Sequence, residues 1–80
     1  MYNQIIMTTN SIHIVYHPTI KGYSGYSREL DGLRTEGRTI QELYEKVKYL
    51  IEVRVKSLAE IGQEKEAKDL REKEIIFVED

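Results

Sequence analysis

The fold of this 80-residue chain is decided by residues 22–43, which read GYSGYSRELDGLRTEGRTIQEL. This stretch predicts a strand over 23–28, a turn, and a brief third strand over 33–36. Asp31 and Gly32 favour the positive-φ conformation of a tight hairpin turn between these two strands. The order of these signals indicates an antiparallel hairpin followed directly by a helix.

Glycines divide this stretch at points where the backbone must turn or be approached closely. Gly22 precedes the second strand, and Gly37 stops the third one. Gly25 weakens the strand that contains it, but it allows another backbone or ring to come close. We therefore assign Gly22, Gly25, Gly32 and Gly37 to the structural motif of the fold.

The helix that follows is marked at both ends. Thr39 is a good N-cap, and Glu42 three residues later completes a capping box. Gly62 supplies the left-handed stop at the other end. Between them, apolar residues recur at steps of three and four and predict one buried stripe, made of Ile40, Leu43, Tyr44, Val47, Leu50, Ile51, Leu58 and Ile61.

Three residues of this helix depart from the amphipathic pattern. Arg54 falls within the apolar stripe, so it either extends past the edge of the sheet or reaches a carboxylate on another subunit. Tyr49 lies opposite the stripe, with Val53 one turn further on. An exposed aromatic beside an aliphatic side chain suggests a contact patch, although two isolated exposed residues would give the same pattern.

The remaining segments complete an α+β layer. Residues 12–17 predict a firm strand that ends at Pro18, with Ile12, Ile14 and Tyr16 on an apolar face and His13, Val15 and His17 on a mixed one. Residues 2–8 are weakly strand-like, so 1–10 form either an extra strand or a tail. Residues 63–73 are interpreted as a charged, solvated connector that could contain a short second helix. Residues 74–79 predict a strand that lies parallel to the first after a right-handed crossover.

Composition argues for a single domain over residues 1–80 that associates with itself or with another chain. A domain of this size buries a limited core, and the absence of cysteine removes disulfides and thiolate metal sites. Self-association as a homodimer or larger is therefore the expected source of added stability. With no apolar run long enough to span a bilayer and no leader pattern, we expect a cytoplasmic protein without membrane contact.

The charge is distributed unevenly along the chain. Residues 1–38 carry four basic and three acidic side chains, whereas residues 39–80 carry eight basic and eleven acidic ones. Neither half is a basic patch that would neutralise phosphates, so direct nucleic-acid binding is not expected.

The same decisive stretch fits the pattern Gly-Tyr-x-x-Tyr-x-x-Glu-Leu-x-Gly-x-x-Thr-x-Gly-x-Thr-x-x-Glu-Leu, which resembles the signature of HicB-like antitoxins. The resemblance covers residues 12–62 and, more loosely, the last strand. It implies a β-β-β-α-β, partial ribonuclease-H-like fold with one long helix on a small, mostly antiparallel sheet. The family usually has proline where Arg28 and Asp31 stand and often cysteine where Leu33 stands, so the departures concern turn chemistry.

The function that the resemblance implies is neutralisation of a small, basic toxin ribonuclease of the HicA type. Such an antitoxin would cover the catalytic histidine of the toxin and exclude RNA, and acidic groups on this chain would steer the encounter. Members of the family commonly carry a C-terminal DNA-binding segment. The given chain ends at Asp80, directly after the last predicted strand, and we expect no DNA-binding extension here.

An enzymatic role is not expected. Glu29, Asp31 and Glu36 are close in sequence, as in a metal-dependent nuclease, but turn and surface roles explain them better. His13 and His17 have no cysteine or nearby carboxylate in the sequence and are assigned to the surface or an interface. We predict no catalytic residue, metal or cofactor.

Two functions therefore remain open: an antitoxin-like inhibitor of a ribonuclease, or an orphan homo-oligomeric domain of the same fold with a regulatory role. The candidate partner-binding residues are Tyr26, Glu29, Asp31, Tyr49 and Val53.

Overall fold

The computed structural model describes residues 11–80. The elements follow one another as β1 (Ser11–Thr19), β2 (Gly22–Ser27), β3 (Arg34–Gly37), α1 (Ile40–Glu60), α2 (Glu64–Arg71) and β4 (Glu74–Glu79). The strand or tail predicted over residues 1–10 lies outside the described residues.

The four strands form one mixed sheet in the order β3-β2-β1-β4. β2 pairs antiparallel with both β1 and β3, whereas β4 lies parallel to β1. The two helices form the crossover that this parallel pairing requires. The α+β class, the long helix on a small sheet, and a last strand parallel to the first are thus confirmed.

The core lies between one face of the sheet and the helices. Ile12 and Ile14 of β1 are fully buried, as the alternation along that strand predicts. The helices contribute six further buried side chains, which are Leu43, Val47, Ile51 and Val55 of α1 and Ala67 and Leu70 of α2. Ile75 and Phe77 of β4 pack against the margin of this cluster.

The ends of α1 follow their sequence signals with one local difference. Thr39 Oγ1 accepts a hydrogen bond from the amide of Glu42 at 3.0 Å. The Glu42 carboxylate accepts from the amide of Arg38, one residue earlier than a capping box requires. At the other end, Gly62 has φ +89° and the Gln63 amide bonds the Leu58 carbonyl, which is a Schellman stop.

The short second helix that the connector over residues 63–73 was expected to allow is present as α2, but the connector is not solvated throughout. Ala67 and Leu70 are buried against α1 because the reversal at Gly62 resets the helical phase. The same reversal leaves Ile61, which was assigned to the buried stripe, 68% exposed.

Candidate functional site

Three glycines of the motif, Gly22, Gly25 and Gly37, are required by the packing of β2, β3 and α1. A Cβ on Gly37 would lie 2.5 Å from the backbone nitrogen of Leu43, and one on Gly22 would lie 2.3 Å from the Gly37 carbonyl oxygen. Gly25 leaves room for the side chains of Ile14 and Leu43, since an added Cβ would lie 3.2 Å from the first and 3.4 Å from the second. These glycines serve the packing of the fold and have no side chains. Contacts with a partner must therefore come from other residues.

Glu29 completes the hydrogen bonding of β1 where β2 ends. Its carboxylate accepts two hydrogen bonds from His13, one from the backbone amide at 2.7 Å and one from the ring Nδ1 at 2.7 Å. Ser27 Oγ accepts the amides of Glu29 and Leu30 and shapes the chain for this contact. The expectation that His13 has no carboxylate nearby is therefore wrong, since the turn after β2 brings Glu29 back to β1.

This contact sets the ionisation of Glu29. Partial burial raises the pKa of its carboxyl, but the hydrogen bonds from the amide and ring of His13 and from the backbone of Glu29 itself outweigh it. The pKa is consequently lowered from the ordinary value of 4.5. The stabilising effect is present above that ordinary value and is lost as pH falls through the folded-state pKa.

We expect Glu29→Gln to lower the free energy of unfolding by about 1 kcal/mol at pH 7. Hydrogen bonds to a charged group are worth about 1.5–3 kcal/mol, and solvent screening reduces this because the Glu29 side chain is 38% exposed. The difference from the unmodified protein should shrink at pH 3, because this is below the ordinary pKa of 4.5 and the unfolded chain binds a proton there more readily than folded Glu29 does.

Urea unfolding of both proteins at pH 7 and pH 3 measures this difference. Glu36→Gln, a change at an exposed residue of β3, is the matched control and should alter stability by less than about 0.5 kcal/mol. A loss for Glu29→Gln that is equal at the two pH values would contradict the role assigned to the charge.

The β2–β3 turn and α1 border a shallow cleft, which we call the turn–helix cleft. Nη2 of Arg54 donates to the Asp31 carbonyl oxygen at 3.1 Å. The cleft beside this contact has a volume of about 340 Å³ and is lined by Gly32, Leu33, Arg34, Leu50, Val53, Arg54 and Ser57. Arg54 thus binds backbone of its own chain, which neither of the two sequence-based alternatives for this residue anticipated.

The structure brings three of the five candidate partner-binding residues to one side of the molecule. Asp31 and Val53 flank the turn–helix cleft, and Tyr49 lies one helical turn from Val53. Tyr49 is 68% and Val53 is 42% exposed. Tyr26 lies apart from them on the sheet, and Glu29 is engaged with His13.

A second apolar region, on the face of the sheet opposite the helices, was not anticipated from the sequence. Both helices pack on the face of the sheet that carries Ile12 and Ile14, yet Val15 on the opposite face is only 3% exposed. In the register of the sheet, Val15 is flanked by Tyr26 of β2 and Val78 of β4. This face, described as mixed from β1 alone, becomes apolar at its centre because the neighbouring strands add apolar side chains.

The aromatic residues form a cluster at the margin of the core. The ring of Phe77 lies 5.9 Å from that of Tyr16 and 5.8 Å from that of Tyr44. Lys48 Nζ stands 4.9 Å from the centre of the Tyr44 ring. Tyr44 therefore belongs to the packed side of α1, as predicted, although it remains half-buried.

Within residues 11–80, no three His, Asp or Glu side chains are grouped so that they could hold a metal ion. Glu36 lies on β3 and is exposed, away from the Glu29 contact with His13. In the same part of the chain, neither helix combines the length and the apolar character needed to cross a membrane.

No model of a protein family matches the chain, and no match was found among curated proteins or among solved structures.

Proposed function

We propose that this chain is an antitoxin-like protein that binds and inhibits a small, basic toxin ribonuclease of the HicA type. The observation that carries the proposal is the position of the HicB-like pattern in the fold. The pattern of residues 22–43 occupies β2, β3 and the start of α1, in a sheet whose last strand lies parallel to the first. Apart from the additional helix α2, this is the order of elements that the resemblance implies.

The turn–helix cleft and the adjoining turn of α1 are the surface that we assign to the ribonuclease. Tyrosine is enriched among residues that dominate binding energy, and Tyr49 is exposed on a rigid helix beside Val53. Glu45 and Glu52 are exposed and lie four residues before and three residues after Tyr49, so they share its side of the helix. An apolar centre flanked by carboxylates complements a basic, RNA-facing surface.

Inhibition by binding over the ribonuclease surface does not require this chain to catalyse any reaction. A ribonuclease must bring the RNA phosphates to its basic surface, and a protein bound over that surface excludes them. The carboxylates on α1 speed the encounter, because opposite charges steer association. The buried contact of Tyr49 and Val53 then sets the dissociation rate.

The proposal predicts that Tyr49→Ala and Val53→Ala each weaken binding to the ribonuclease by about tenfold or more, as expected for residues at the centre of an interface. The ligand for this test is a small, basic ribonuclease of the HicA type, to be sought in a short open reading frame beside this gene. Calorimetry or biolayer interferometry measures the affinity. Ile20→Ala, a change at a fully exposed residue of the β1–β2 turn, is the control and should leave the affinity unchanged.

Equal affinities for all variants would overturn the assignment of the surface. Failure of the unmodified chain to bind such a ribonuclease would overturn the function itself. That outcome would favour the alternative, an orphan homo-oligomeric domain with a regulatory role, for which the supporting feature is the outer edge of β4, unpaired among residues 11–80.

A further inference from the structure

The two outer strands of the described sheet differ in how they are protected from pairing. β3 has four residues and presents the charged side chains of Arg34 and Glu36. β4 has six residues, and its centre is made of Ile75, Ile76, Phe77 and Val78, all half-exposed. Short, charged edges resist the addition of another strand, whereas a longer apolar edge invites it.

The direction of the β4 backbone groups follows from one hydrogen bond. The amide of Asp80 donates to the Tyr16 carbonyl oxygen of β1 at 2.7 Å. Because backbone groups alternate along a strand, the amides and carbonyls of residues 76 and 78 also point to β1, and those of 75, 77 and 79 point away from it. Within residues 11–80, those of 75 and 77 have no strand beyond them.

We propose that a second copy of this chain adds to that edge, with the two β4 strands antiparallel around a two-fold axis at Ile76. The helices of both copies then lie on the same side of one continuous sheet. Directly opposed residues must point to the same face, so only registers that pair odd with odd and even with even positions are possible. Ile75 and Phe77 of opposite copies exchange hydrogen bonds, and the two Ile76 side chains meet at the axis.

The side chains of β4 distinguish this register from the next one. Centring on Ile76 opposes Ile76 to itself and Ile75 to Phe77. It also sets Val78 opposite Glu74 and Lys73 opposite Glu79 of the second copy. Centring on Phe77 would oppose Glu74 to Asp80 and Ile75 to Glu79. Opposed like charges destabilise a strand pair, whereas opposite charges and apolar pairs stabilise it.

A groove on the helix side of β4 supports the same register. Its volume is about 230 Å³, and its lining residues are the apolar Ile51, Val55, Leu70 and Ile75 and the charged Lys48, Glu52, Arg71 and Lys73. The register places Phe77 of the second copy beside Ile75 at this groove. The acidic end of the second β4 strand, at Glu79 and Asp80, then lies near the basic groups of the rim.

Engineered cysteines test the register, because the chain contains no cysteine of its own. In Ile76→Cys, the two thiols face each other in a non-hydrogen-bonded pair, where Cα atoms are about 4.5 Å apart and a disulfide can form. We expect mild oxidation to convert this variant to a covalent dimer on non-reducing gels. Val78→Cys, on the same face of the same strand, should not cross-link, since residue 78 lies opposite residue 74.

Charge substitutions test the same surface without a covalent bond. Light scattering of the eluting full chain should give twice the 9.4 kDa mass of one chain. Ile76→Lys brings two like charges together and should weaken the dimer by about a hundredfold. Val78→Lys places its ammonium opposite Glu74 and should leave the dimer intact. Circular dichroism of both variants shows whether each one remains folded.

A monomeric chain at 100 µM would overturn the proposal and leave the edge to another occupant, such as residues 1–10 or a strand of a partner. Equal cross-linking of the two cysteine variants would also overturn it, as would a dimer that Ile76→Lys does not weaken. None of these measurements involves a ribonuclease. Failure here is therefore distinguishable from failure of the proposed function.

Discussion

Replacement of Gly37 by alanine is expected to lower the free energy of unfolding by about 3 kcal/mol or more. The added Cβ would lie 2.5 Å from the Leu43 nitrogen and 2.9 Å from its Cα. Both are backbone atoms of the first turn of α1, so the helix must move away from the sheet. A domain of this size has a total stability of about 4–12 kcal/mol, and the loss would be a large part of it.

Urea unfolding followed by circular dichroism measures this loss. Gly32→Ala is the matched control, because a Cβ at Gly32 meets nothing within 4 Å and only its φ of +82° disfavours alanine. The control should cost about 1–2 kcal/mol. If Gly37→Ala were as stable as Gly32→Ala, the result would contradict the close approach of β3 to α1.

The second large effect is expected for Ile14→Ala, at about 3 kcal/mol. Ile14 is fully buried at the centre of the sheet, where it packs over Gly25 and toward α1. Truncation leaves a cavity, and Gly25, which has no side chain, cannot fill it. Thermal or urea unfolding measures the effect.

Ile20→Ala removes the same atoms from a fully exposed position and serves as the control, with a change of less than about 0.5 kcal/mol. A similar cost for the two isoleucines would show that the core does not lie between β1 and the helices.

The element order could be predicted because local signals and the global fold agree. The helix start at Thr39, its stop at Gly62 and the turn at Gly32 each have a local physical cause, and the structure confirms all three. The parallel placement of β4 followed from the handedness of crossover connections. The error in residues 63–73 arose because one helical phase was extended past Gly62, where the chain changes direction.

Contacts between distant residues could not be predicted in this way. Glu29 and His13 are sixteen positions apart, and their contact depends on how the turn after β2 returns to β1. The bond from Arg54 to the Asp31 carbonyl likewise depends on where α1 crosses the β2–β3 turn. The apolar centre around Val15 needs the register of three strands, which a single strand pattern does not contain.

Only part of the candidate site was predicted, because the rest of it depends on contacts between distant residues. Tyr49 and Val53 were found because helical periodicity alone places them opposite the buried stripe. Their proximity to Asp31 became visible only once the turn and α1 were placed together. Tyr26 was also a candidate, and the structure places it on a different surface.

The most direct measurement of the central claim is an RNA-cleavage titration. The small, basic ribonuclease proposed as the partner is held at fixed concentration, and the chain is added until it is in excess. We predict that cleavage falls to background at about one chain per ribonuclease, and that Val53→Ala shifts this titration to higher concentration while Ile20→Ala does not. Cleavage that continues unchanged at a large excess of the folded chain would contradict the account.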